Sequence, residues 1–149
     1  MDICALPSYD VRPMTLRNLY EVDLGTSGLI LRAESREEIL ADKLIALAFR
    51  ENRLKNRDLW DIAWLTQRGV ELPVDLIPKK VRDHGRTDDE FAGSLSGRIE
   101  HLGSEGARTD FLKEMRRFLP SATVEETLQQ EDHWQWLRGV VVDLSRLVV

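Results

Sequence analysis

Apolar residues recur at the spacing of an α-helix in two consecutive segments, and both segments carry charged residues toward their apolar side. The first segment, residues 36–50, is predicted to be a helix with Lys43 inside its apolar arc rather than on its polar face. The second, about residues 57–67, directs Asp58 and Asp61 toward or beside apolar positions. Charged groups are seldom directed toward a core unless they are paired or used in chemistry, so this stretch is the first candidate for a site.

Each of these charged residues also has an ordinary structural interpretation. Lys43 can lay its methylenes on the core and extend its ammonium into solvent. Asp58 lies where a helix begins, so its carboxylate can cap backbone N–H groups there. Asp61 and Arg57 are four positions apart and can form a surface ion pair worth about 0.3–0.5 kcal/mol. Each interpretation is credible alone. All three are less credible together within one helical hairpin.

The rest of the pattern predicts a few strands followed by helices. Ser35 and Glu38 match a capping box that opens the first helix, and Thr123 and Glu126 match another that opens the last one. The predicted fold class is therefore α+β and mostly helical, with a few N-terminal strands followed by a helical bundle. Strands are predicted at about residues 1–6, 19–24 and 29–33, and further helices at about 74–82, 88–102, 105–119 and 123–149.

Length and composition predict one domain over residues 1–149, in which residues 1–70 hold the strands and the two charged helices and residues 71–149 form a helical region. A single cysteine, Cys4, excludes an internal disulfide framework. The net charge of −5 argues against a protein that coats nucleic acid. No apolar run is long enough to span a membrane and no signal peptide is evident, so a cytoplasmic location is expected.

Two motifs at this spacing resemble a known family. The segment EEILADKLIALAFR is similar to a lysine helix, and KNRDLWDIAWL is similar to an R-D-hydrophobic-x-D helix, of the nucleotidyltransferase AbiEii/AbiGii toxin family. That family includes relatives of the MenT toxins and lies within the polymerase-beta-like nucleotidyltransferase superfamily. Asp2, in the sequence Met1-Asp2-Ile3, resembles the strand that carries the superfamily's third carboxylate. The resemblance covers about residues 1–76.

The resemblance implies a toxin of a toxin–antitoxin or abortive-infection system that transfers a nucleoside monophosphate from an NTP to an acceptor such as tRNA. Mg²⁺ and NTP are the implied cofactors. Lys43 would reach the triphosphate, and Asp58 would orient Lys43 or the nucleotide. Asp61 and Arg57 would stiffen that arrangement and help to bind the nucleotide. Asp2 would serve as a metal ligand or general base.

The sequence departs from the family pattern in its metal-binding half. The family carries a Gly-Ser motif followed by a D-x-D strand, whereas Gly25-Thr26-Ser27-Gly28 is followed by no D-x-D. Two-metal transfer requires several carboxylates, so the chain is expected to be a C-terminal part with an incomplete metal site. The expected partner is a cognate antitoxin or a missing N-terminal half, and an exposed sheet edge would allow a homodimer. The alternative function is a non-catalytic helical interaction module, a split or remnant protein that binds such a partner.

Overall fold

The computed structural model describes residues 6–15, 25, 28–50 and 54–149, and in these residues a short β-ribbon precedes a body of packed helices. Strand β1, Val11–Thr15, pairs antiparallel with β2, Ile30–Glu34, so that Val11 lies opposite Glu34 and Thr15 opposite Ile30. The predicted α+β, mostly helical class is confirmed. In the described part of the chain, no helix is both long and apolar enough to cross a lipid bilayer.

The helices follow in sequence with short connections. A short 3₁₀ turn at Val74–Leu76 leads into the third helix, and a π-helical turn at Val124–Leu128 follows the sixth. The helices are α1 Arg36–Phe49, α2 Asn56–Gln67, α3 Ile77–Asp83, α4 Asp88–Leu102, α5 Glu105–Met115, α6 Ser121–Thr123 and α7 Glu131–Ser145.

The strand predictions need correction. Strand β1 was not predicted, because Pro13 interrupts its pattern and proline is tolerated only at edges of sheets. The second observed strand begins one residue later than the predicted 29–33. Leu6 lies outside any strand, while residues 1–5 and 19–24 of the other two predictions lie outside the described residues. The paired strands expose Met14, Ile30 and Leu31.

The prediction of one continuous helix over residues 123–149 is wrong. Helical structure begins at Ser121, directly after Pro120, and Thr123 is itself helical and makes no side-chain cap. The chain then becomes extended at Gln130 before α7 begins. The preceding helix is also shorter than predicted, because α5 ends at Met115. The capping-box pattern at residues 123–126 therefore predicted a helical region correctly. It did not predict where this region begins or that it is interrupted.

Helix α1 lies at the centre of the helical body and contacts α2, α3 and α4. Four residues of α1 are fully buried: Leu40, Ala41, Leu44 and Ile45. They lie on more than one side of the helix, so the core surrounds much of α1. Helix α7 packs on α2 and α4 and contributes Trp134, Leu137 and Val141, among others, to the same core. Because little of α1 faces solvent, charged side chains on it need partners from the neighbouring helices.

Candidate functional site

Lys43 joins α1 to α2 through two carboxylates. Its Nζ lies 2.8 Å from Oδ1 of Asp58 and 2.7 Å from Oδ2 of Asp61. Asp58 and Asp61 are three residues apart on α2, so both side chains lie on the same face of that helix. The Lys43 side chain is 27% exposed, whereas that of Asp58 is 4% exposed. The Lys43 side chain thus lies between a buried carboxylate, Asp58, and a more exposed one, Asp61, and is itself partly exposed.

A second cation shares the buried carboxylate. Nη2 of Arg50 lies 3.3 Å from Oδ2 of Asp58, on the carboxylate oxygen that Lys43 does not contact. The side chains of Arg50 and Asp61 are each 42% exposed, so the outer members of the group border solvent. The charges of Lys43 and Arg50 therefore compensate those of Asp58 and Asp61 where α1 packs on α2. Lys43 and Arg50 thus compensate the charge of the buried Asp58, but only its Oδ1 accepts a hydrogen bond, and its Oδ2 makes none in the described structure.

The surroundings of Lys43 act on its pKa in opposite directions. Partial burial lowers the pKa, because it disfavours the ammonium form, whereas the hydrogen bonds and charges of Asp58 and Asp61 raise it. The two carboxylates outweigh burial, and the pKa of Lys43 is raised above its ordinary value. Lys43 is consequently a cation throughout the physiological pH range and is suited to bind an anion rather than to accept a proton.

Arg57, the other described residue predicted at this site, has a different partner. Arg57 does not reach toward Lys43; its guanidinium carbon lies 4.8 Å from the centre of the Phe118 ring. The four-residue spacing of Arg57 and Asp61 predicted an ion pair between them. The Asp61 carboxylate pairs with Lys43 instead. Asp2 lies outside the described residues. The structure therefore brings together Lys43, Asp58 and Asp61.

A second lysine forms a similar group that the sequence analysis missed. Nζ of Lys80, on α3, lies 2.7 Å from Oε1 of Glu38 and 2.7 Å from Oδ1 of Asp42, both on α1. The Glu38 carboxylate also accepts the backbone N–H groups of Tyr9 at 2.8 Å and Asp10 at 2.6 Å. The Lys80 side chain is 6% exposed. We name Lys80, Glu38 and Asp42 the closed cluster, and Lys43, Asp58, Asp61 and Arg50 the open cluster.

The closed cluster changes the interpretation of the predicted capping box. The hydroxyl of Ser35 accepts the backbone N–H of Glu38 at 3.1 Å, as a capping box requires. The Glu38 side chain does not return to Ser35, whose N–H donates to the carbonyl of Asp10 at 2.8 Å. The available signal was the i, i+4 pair Glu38 and Asp42, which places two acids on one face of a mostly buried helix.

Burial and pairing shift the pKa values within the closed cluster in different directions. Burial raises the pKa of Glu38, but Lys80 and the two backbone donors lower it further than burial raises it, so the net pKa is lowered. Burial is the largest influence on Asp42 and leaves its pKa raised despite Lys80. Burial lowers the pKa of Lys80, and Asp42 and Glu38 together raise it above its ordinary value.

Among the described residues, one group of acids has the spacing of a metal site. Carboxylate oxygens of Glu34, Glu38 and Asp42 lie within 4.8 Å of one another. However, the ammonium of Lys80 contacts two of the three carboxylates, and Glu38 already accepts two backbone N–H groups. Glu34 accepts the hydroxyl of Ser8 at 2.6 Å. A divalent cation would have to displace a buried lysine, so these residues do not fit a magnesium site.

Comparison with known protein families identifies a match over most of the chain. The model of a family described as nucleotidyl transferase AbiEii toxin, type IV TA (toxin–antitoxin) system, matches residues 1–138. This range includes both lysine clusters and extends well past residue 76, where the sequence resemblance ended. No curated protein and no solved structure matches the chain. The family match covers most of the chain, which therefore belongs to the AbiEii nucleotidyl transferase toxin family of toxin–antitoxin systems.

Proposed function

We propose that α1 and α2 supply the phosphate-binding side of a nucleotidyltransferase site, which transfers a nucleoside monophosphate from an NTP to an acceptor hydroxyl, with tRNA as the acceptor class. The observation that supports this proposal is the position of Lys43, whose ammonium pairs with a buried carboxylate while its side chain remains partly exposed. Such a cation can approach phosphoryl oxygens without first being drawn out of the core. The reaction joins the acceptor oxygen to the α-phosphorus and releases pyrophosphate.

The two carboxylates on Lys43 have different roles in this scheme. Asp58 is buried and shared with Arg50, so it keeps the ammonium in place. Asp61 is more exposed and can rotate toward solvent, which leaves one side of the ammonium for a phosphate oxygen. Lys43 then exchanges one carboxylate for the triphosphate and acts as a point charge on it. Arg50 borders the same opening and adds a second positive charge near the phosphates.

The family implies Mg²⁺, but the described carboxylates do not provide a site for it. Asp58 and Asp61 hold Lys43, while Glu38 and Asp42 hold Lys80. None of these four carboxylates is therefore proposed as a metal ligand in the reaction. Asp2 remains the proposed metal ligand or general base, and the sequence contains no D-x-D pair to accompany it. The polypeptide alone is accordingly expected to show no transfer with NTP, magnesium and tRNA.

A second candidate function is a non-catalytic interaction module that binds an antitoxin or the half of the enzyme that carries the D-x-D motif. The β-ribbon favours it, because in the described residues it has two strands and exposes Met14, Ile30 and Leu31. Exposed apolar residues on a short sheet are typical of surfaces that pair with another chain, including a second copy. Both functions can coexist, since the ribbon and the open cluster involve different residues.

The proposal is tested by binding of a non-hydrolysable NTP to the whole chain, measured by calorimetry for the parent and for Lys43→Met. We expect the substitution to abolish binding, because it removes the ammonium and leaves the negative charge of Asp61 at the opening. Lys79→Met is the matched control, since Lys79 is an exposed lysine on α3. Equal NTP affinity in all three proteins would contradict the proposed role of Lys43.

A further inference from the structure

We infer that the outer face of α2 binds an acidic segment of a different protein. This outer face consists of Arg57, Asp61 and Trp64 of α2 and of Arg68, the residue that ends the helix. The four residues are spaced at four, three and four positions, so their side chains share one side of the helix. The transfer reaction proposed above and the β-ribbon involve neither Trp64 nor the two arginines.

Aromatic side chains extend the outer face of α2 toward α7. Trp64 is 39% exposed. One turn before it, the centre of the Trp60 ring lies 6.2 Å from that of His133, which lies 5.5 Å from that of the exposed Trp136. Tryptophan and arginine are enriched at the energetic centres of protein interfaces, so an exposed group of this composition is typical of a surface that binds another polypeptide.

Two arginines flank the exposed tryptophan on the outer face. The guanidinium carbon of Arg68 lies 5.0 Å from the centre of the Trp64 ring, and that of Arg57 lies 4.8 Å from the centre of the exposed Phe118 ring. Within the described parts of the chain, neither arginine pairs with a carboxylate. A ring contact occupies no N–H donor with an acceptor oxygen, so each guanidinium can still bind a carboxylate through two hydrogen bonds.

The charges of the outer face define the chemistry of its partner. Its acid, Asp61, is compensated by Lys43 at 2.7 Å, so the two arginines give the face an excess of positive charge in a chain of net charge −5. Arg57 and Arg68 are eleven residues apart, which corresponds to about 16 Å along a helix. A complementary segment therefore carries carboxylates separated by about 16 Å and apolar side chains between them.

The same arrangement favours a polypeptide over a nucleic acid. A nucleic-acid strand carries a phosphate at every nucleotide, so it would place further negative charge over Asp61 and the aromatic rings between the two arginines. A polypeptide places apolar side chains there and confines its carboxylates to the positions of the arginines. The outer face thus matches an acidic, partly apolar segment in both charge and spacing.

The test uses a fluorescein-labelled helical peptide as the probe and the whole chain as its receptor. The peptide carries two glutamates about three helical turns apart, with leucines on the same side between them. A second peptide replaces both glutamates with glutamine and is otherwise identical. By fluorescence anisotropy, the acidic peptide should bind the parent about tenfold more tightly than the glutamine peptide, because two partly exposed ion pairs each contribute a few-fold.

Arginine variants show whether this charge preference arises on the outer face. Arg57→Gln and Arg68→Gln should each weaken binding of the acidic peptide about threefold and leave binding of the glutamine peptide unchanged. Arg146→Gln is the matched control, since Arg146 is an exposed arginine that follows α7 and pairs with Asp143. Equal affinity of the parent for the two peptides, or an affinity for the acidic peptide that neither variant changes, would overturn the inference.

Trp64→Ser tests the apolar part of the outer face without changing its charge. This variant should weaken binding of both peptides about tenfold, as expected for an aromatic residue at the centre of an interface. Val74→Ser is the control, because Val74 is 41% exposed and lies in the 3₁₀ turn before α3. Melting temperatures confirm that each variant retains the fold. Peptide affinities that are unchanged in Trp64→Ser would contradict the inference.

The same variants distinguish two other occupants. Binding of a fluorescein-labelled single-stranded RNA that is lost in both Arg68→Gln and Trp64→Ser would assign the outer face to a nucleic acid and overturn the inference. Self-association of the parent in analytical ultracentrifugation that is lost in these variants would assign the face to a second copy, and would also overturn it. Arg68→Gln should leave binding of a non-hydrolysable NTP unchanged, so the NTP proposal and this inference fail separately.

Discussion

The open and closed clusters use the same pair of groups and differ in how completely they are covered. Each holds a lysine ammonium between two carboxylates at 2.7–2.8 Å. Lys80 is 6% exposed and lies on a glutamate that also binds two backbone N–H groups, whereas Lys43 is 27% exposed and borders an exposed aspartate. Pairing alone therefore does not identify a functional charge. The difference lies in whether one side of the lysine remains accessible to a ligand.

The closed cluster explains what its buried charges do for the fold. Glu38 binds the backbone of Tyr9 and Asp10, so it fastens the segment before β1 to α1, and Lys80 fastens α3 to the same point. Breaking a buried ion pair by removing one partner is strongly destabilising, because the other charge is left without compensation. The open cluster can lose its lysine with less damage, since Arg50 remains on Asp58.

The largest expected effect separates the two lysines by stability. Lys80→Met should lower the free energy of unfolding by about 3–5 kcal/mol, because Glu38 stays buried without its ammonium partner. Lys43→Met should change it by no more than about 1 kcal/mol, because an apolar chain suits a partly buried position and Arg50 still compensates Asp58. Urea denaturation followed by circular dichroism measures both. Similar losses in the two variants would show that the open cluster is as structural as the closed one.

Sequence periodicity could predict α1 and α2, and with them the neighbourhood of Lys43 and Asp58, because both residues lie on apolar sides of adjacent helices. Helix α4 was predicted with its observed bounds, Asp88–Leu102, since a capping box and Gly103 mark its ends. The closed cluster could not be predicted in this way. Its lysine is 42 positions from Glu38 and lies in a run of basic residues that is typical of a solvated surface.

The next effect concerns the titration of the lysines. Asp58→Ser removes a carboxylate that raises the pKa of Lys43, so Lys43 should titrate at lower pH than in the parent, while Lys80 keeps its raised pKa. A raised lysine pKa contributes stability that is complete below the unfolded value of about 10.4 and is lost as pH rises through the folded value. The stability contribution of Lys43 should therefore fade at a lower alkaline pH in the variant.

NMR of the lysine side chains measures these titrations, and Lys80 is the internal control because its carboxylate partners are Glu38 and Asp42. The predicted capping role of Asp58 is wrong, because Lys55 is the N-cap residue of α2, no side chain caps this helix, and the Asp58 carboxylate accepts Lys43 instead. A loss of capping would therefore not explain a change in the titration of Lys43. A Lys43 titration that is identical in parent and variant would show that Asp58 does not act on this ammonium in solution.

The smallest effect compares the outer carboxylate of each cluster. Burial raises the pKa of Asp42, so the folded state binds its proton more tightly than the unfolded chain, and ionisation of Asp42 at neutral pH costs stability. Asp42→Asn should therefore leave stability at pH 7 unchanged or slightly raised, and the gain should vanish below the unfolded pKa of about 3.9. Asp61→Asn should instead lower stability by about 0.2–1 kcal/mol, as expected for an exposed ion pair. Thermal unfolding at pH 7 and pH 3 measures the sign of both changes in stability.

Stability changes of opposite sign would support the distinction between Asp42, a carboxylate constrained by burial, and Asp61, a carboxylate that can leave its lysine. A larger loss of stability in Asp42→Asn than in Asp61→Asn would reverse this distinction.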